Sequence, residues 1–81
     1  MRTSIAKEKI DQLYELLIHS GYKQLEILVE VGKNGQPTYL GIEVFCSALT
    51  MDVHVQAIKD LLAGMGYSVE GNTNRETITI K

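Results

Sequence analysis

The chain is short of several things. Its 81 residues include one cysteine, one proline, one phenylalanine and no tryptophan. A lone thiol, Cys46, cannot form an intramolecular disulfide, which fits a reducing compartment. His19 and His54 are the only histidines. Neither belongs to a metal-binding spacing, and Cys46 is the one other soft ligand, so no metal and no cofactor is expected. There is little charge of either sign to spare. Ten acidic against eight basic residues leave a net charge of -2, which excludes the broad basic field of a protein that grips phosphates over its whole surface. Long hydrophobic runs are also missing. No stretch approaches the ~18 apolar residues of a membrane span. The start, Met1 to Lys9, lacks the apolar core of a signal peptide. The expectation is a cytoplasmic protein without membrane attachment.

What is present is a globular composition. Hydrophobic residues make up 44% of the chain, too many for a disordered segment of this low net charge. The length suits a single domain, 1–81, around one core.

The hydrophobic spacing divides the chain into six elements. Residues 4–20 read as a helix, with Ile5, Ile10, Leu13 and Leu17 on one face, Ser4 as the candidate cap and Gly21 as the stop. Residues 24–32 and 38–46 alternate as strands around Gly32-Lys33-Asn34-Gly35-Gln36-Pro37, whose Asn-Gly pair suits a tight hairpin. Residues 51–65 read as a second helix. Thr50 stands at its N-cap, Asp52 in its first turn, and Met51, Val55, Ile58, Leu62 and Met65 along its apolar stripe. Residues 67–70 and 76–80 read as a short hairpin around Gly71-Asn72-Thr73-Asn74-Arg75. The expected class is α+β, in the order α-β-β-α-β-β. Both helices pack on one face of a four-stranded antiparallel sheet.

The two halves echo each other. Leu13, Leu16, Leu17, Gly21 and Tyr22 match Ile58, Leu61, Leu62, Gly66 and Tyr67. Such an echo arises either from duplication of an α-β-β unit or from reuse of glycine caps and aromatic strand starts.

The open side of the sheet is where partner binding is expected. Strict alternation assigns Leu25, Ile27, Val29, Val31, Leu40, Ile42, Val44 and Cys46 to the core. It leaves Glu26, Leu28, Glu30, Tyr39, Gly41, Glu43 and Phe45 outside. Leu28, Tyr39 and Phe45 depart from the polar pattern of a wet face, as an interaction patch does. Glu26, Glu30 and Glu43 around them would favour a basic partner. The last strand, ending at Ile80-Lys81, is expected at a sheet edge, open to pairing with a second copy as a homodimer.

No catalytic residue emerges. Cys46 lies on the core face, where a small buried hydrophobe is the ordinary role, although His54 at the start of the next helix could fold back towards it. His54 is otherwise expected on a solvated helix face, and His19 near the C-terminus of its helix. The alternative to protein binding is a nucleic-acid- or ribosome-associated role. Lys33, Arg75 and Arg2 would form its contacts if the two hairpin turns share one end.

One stretch has a familiar shape: Leu16-Leu17, Gly21-Tyr22, Leu25-Glu26-Ile27, a glycine-containing turn and Tyr39-Leu40-Gly41-Ile42. It resembles the N-terminal domain of the bacterial ribosome maturation factor P, which runs helix, Gly-Tyr junction, long hairpin and helix. The resemblance implies a ribosomal role. It ends near Met65 and carries no functional residues across.

Overall fold

A computed structural model describes residues 4–81. Its elements are helix α1 (Lys7–His19), strands β1 (Leu25–Val31) and β2 (Pro37–Phe45), helix α2 (Met51–Leu61), and strands β3 (Val69–Asn72) and β4 (Thr77–Ile80). All strand pairs are antiparallel, in the order β1-β2-β4-β3. Both helices lie on the sheet, and the class is α+β as the spacing predicts. The strand order puts the second strand of each α-β-β unit in the centre and the first at an edge, as a two-fold arrangement of two units does.

The core follows from the two periodicities. Ile10, Leu13 and Leu17 of α1 are buried together with Ile58 of α2, with Met51 at its start and Leu62 just past its end. They pack on Ile42, Val44, Ile78 and Ile80 of the two central strands. Complete burial of a side chain of this size contributes about 2 kcal/mol. Gly71 lets α2 close on β3. A Cβ there would come within 2.9 Å of Met51 Sδ and 3.0 Å of Val55 Cγ2.

Several expectations need correction. β4 is not an edge strand. It sits between β2 and β3, so the edges are β1 and β3. Ser4 does not cap α1: the N-cap residue is Ala6, and it makes no side-chain cap bond. Thr50 does hold the N-cap position of α2, again without a capping bond. That helix ends at Leu61, and Met65 is exposed on the following turn.

The largest change is on the first hairpin. A β-bulge breaks the register: Leu28 faces Gly41, but Val29 faces Tyr39. Leu40 is the extra residue, and it shifts the parity of everything before it in β2. Tyr39 therefore belongs to the helix side, where it packs against the core and its carbonyl accepts the Ile5 N–H at 2.8 Å. Leu40 leaves the core set and is half-buried apart from the core cluster, as Leu28 is. Val29 and Val31 keep their face but lie in the part of the hairpin that the helices do not cover, and both are exposed. Gly41 marks the irregularity. Its φ is 156°, and a Cβ there would run into the Ile80 carbonyl oxygen.

Candidate functional site

The strand register defines the open face. One row crosses all four strands: Glu26 on β1 faces Glu43 on β2, Glu43 faces Thr79 on β4, and Thr79 faces Glu70 on β3. Three carboxylates thus share one line across the sheet. Directly opposed like charges such as Glu26 and Glu43 are unfavourable. Arg75, from the β3–β4 turn, offsets this by placing Nη2 3.9 Å from Glu43 Oε1. Glu43 is expected on the rim, yet it is only 6% exposed, enclosed by its neighbours on the bare side of the sheet.

Apolar side chains flank the row on both sides. Leu28 and Leu40 stand on the side towards the β1–β2 turn. Phe45, 43% exposed, stands on the other, opposite Thr77. The predicted trio of Leu28, Tyr39 and Phe45 is therefore not brought together. Tyr39 is on the far side of the sheet, Leu40 takes its place beside Leu28, and the glutamate row separates that pair from Phe45. Glu26 and Glu43 are opposite one another, and Glu30 lies further along β1 opposite Thr38.

A second feature adjoins Phe45. An open pocket of about 400 Å³ lies where α1 ends and α2 begins, lined by Tyr22, Gln24, Phe45, Cys46, Thr50 and His54 among others. A neighbouring pocket of about 400 Å³ shares Phe45 and Cys46 and extends to Arg75 and Glu76. Tyr22 and His54 meet there. The Tyr22 hydroxyl and His54 Nδ1 share a hydrogen bond of 3.0 Å, and the rings stand edge to face with centroids 5.5 Å apart. His54 is consequently half-buried and not on the solvated face expected for it. Burial, and secondarily the charge of a Cys46 thiolate, push the Tyr22 hydroxyl above the ordinary tyrosine range. Sequence reasoning missed this pair. The partners lie 32 residues apart, and only the meeting of the two helix ends connects them.

Cys46 packs against the core from just beyond β2, and its N–H bonds the Glu76 carbonyl at 3.0 Å. Its sulfur approaches the Ser47 carbonyl at 3.5 Å and the Thr50 hydroxyl at 3.9 Å. Among the described residues no hydrogen bond joins it to His54. His19 is in the last turn of α1, with Nδ1 3.9 Å from Glu15 Oε2. No group of three or more His, Cys, Asp or Glu among the described residues could hold a metal ion. No helix among them is long and apolar enough to cross a membrane.

The basic residues singled out from the sequence do not gather. Lys33 is in the β1–β2 turn, beside the Val31–Pro37 pair, and Arg75 is in the β3–β4 turn, beside Phe45–Thr77. These are opposite ends of β2. Arg2 lies outside the described residues.

Comparison with protein-family models, with curated proteins and with solved structures finds no match. The likeness to the ribosome maturation factor therefore extends no further than the helix–hairpin–helix order of the first two thirds of the chain.

Proposed function

We propose that this protein is a non-enzymatic interaction module that self-associates and takes a basic protein partner on the open face of its sheet. The observation carrying the partner reading is the cross-strand row of Glu26, Glu43 and Glu70, set between Leu28 with Leu40 and Phe45. Carboxylates aligned across a sheet offer charge complementarity to lysine and arginine, and flanking apolar side chains supply area to exclude water. The row also repels phosphate, so nucleic acid is a poor occupant of this face. The non-enzymatic part is supported by the contacts of Cys46, whose sulfur lies against the Ser47 carbonyl and the Thr50 hydroxyl, and of His54, whose Nδ1 is engaged by Tyr22.

Affinity capture from the native lysate, with and without nuclease, tests the partner surface when wild type is compared with two variants. Phe45→Glu removes an apolar anchor, and Glu26→Lys with Glu70→Lys reverses the row at exposed positions. A stoichiometric partner with a basic binding segment should survive nuclease and be lost from both variants while their circular dichroism stays unchanged. A partner retained by both variants would place binding elsewhere. Capture that vanishes with nuclease would favour the nucleic-acid role.

A further inference from the structure

We infer that the free edge of β1 is the surface through which two copies of this chain associate, by antiparallel pairing that joins their sheets into one. Self-association belongs to the function proposed above, and the edge is what the structure adds to it.

The hydrogen bonds fix which backbone groups are available. At one end of the hairpin the Phe45 N–H donates to the Gln24 carbonyl, and at the other the Gly32 N–H donates to the Gln36 carbonyl, both at 3.0 Å. Even-numbered residues of β1 thus turn their backbone towards β2. Alternation turns the N–H and C=O of Leu25, Ile27, Val29 and Val31 the other way, where no strand among the described residues lies. Another strand is the chemical complement of such a row.

β1 is only lightly protected as an edge, since its two charges, Glu26 and Glu30, both stand on the open face. It runs for seven residues without proline or lysine, and the extra residue of the bulge is on β2. The other edge, β3, has four residues, including Gly71 and Asn72, and offers a much poorer template. Val29 and Val31 are 48% and 65% exposed. On a solvated strand these are the side chains a partner would cover.

Side-chain chemistry selects the register. Pairing centred on Leu28 would set Glu26 of each copy against Glu30 of the other, a doubled like-charge contact. Pairing centred on Ile27 would set Val31 against Lys23. Pairing centred on Val29 sets Val29 against Val29, Ile27 against Val31 and Leu28 against Glu30. It covers both exposed valines and opposes no like charges. In this arrangement the two-fold axis is perpendicular to the sheet. The helices of both copies lie on one side, and both open faces lie on the other.

Sedimentation equilibrium over a wide concentration range tests the edge. Wild type should pass from the monomer to the dimer mass, while Val29→Lys and Val31→Lys stay at the monomer mass with unchanged circular dichroism. The register is tested by Val29→Cys in a Cys46→Ala background. Two Cα atoms about 5.5 Å apart suit a disulfide, so mild oxidation should cross-link this variant at dilutions where an exposed control, Val53→Cys on α2, stays monomeric. A dimer that survives both lysine variants would overturn the edge and leave self-association standing. A wild type that is monomeric throughout would overturn both, without touching the open-face partner.

Discussion

At position 41 a single added methyl group would press on the backbone of the neighbouring strand. Gly41 combines a φ outside the range that side chains prefer with direct approach of the Ile80 carbonyl. Gly41→Ala should therefore destabilise by about 2 kcal/mol or more, roughly 8–16 °C in melting temperature for a domain of this size. Thermal denaturation checks it. Tyr22 gives a second test. Its hydroxyl titrates higher in the folded than in the unfolded chain, mainly through burial. Above the ordinary tyrosine pKa the folded state thus holds a proton that the unfolded state has lost, and stability falls as pH rises through that window. In Tyr22→Phe the ultraviolet tyrosinate titration should lose a step lying above the ordinary tyrosine range, and the decline in stability above pH ~10 should be shallower. Gly41 could have been read from the sequence, since a glycine inside an alternating strand signals a bulge. Tyr22 could not, because nothing local to it anticipates His54.

The bulge and the edge set what each strand tolerates. Leu28 presents its N–H to β2, and the N–H of its neighbour Val29 points out of the sheet. Proline should expose this difference, since it removes one donor and leaves side-chain packing on the hairpin much as it was. Leu28→Pro should cost on the order of 2 kcal/mol, and Val29→Pro less than about 1. Urea denaturation of the two variants measures the contrast. Element existence and type were legible throughout, because helical and strand spacings differ so plainly in this chain. Faces were legible only up to the bulge. One extra residue, Leu40, moved Tyr39 to the helices and itself to the open side, and it also divided the expected apolar patch.

Across the whole molecule, one core joins everything. Ile78 is completely buried in the centre of the sheet, among side chains from both helices and both central strands. Ile78→Ala should cost about 3 kcal/mol and lower the denaturant midpoint seen by every probe together, with an unchanged slope. Charge was legible as a total but not as a pattern. The net value of -2 gives no hint that Glu26, Glu43 and Glu70 align, because that requires β4 to carry Thr79 in between. Strand order was the missing information, and it depends on which pairs bury most surface, not on local sequence.

The interior position of β4 has a consequence for how the chain is made. The first hairpin is local and can form early, yet β2 meets β4 only by pairing Ile42 with Ile80 across most of the remaining sequence. Such distant contacts are slow to close. β4 is also the last of the six elements to leave a ribosome. Until it does, β2 has an unsatisfied flank, β3 has no neighbour, and the apolar stripes of both helices lack half of their floor. Folding is thereby deferred until β4 has emerged. Through that interval the nascent chain shows a second exposed edge beside the one it keeps, which is when a holdase or a neighbouring chain has most to bind.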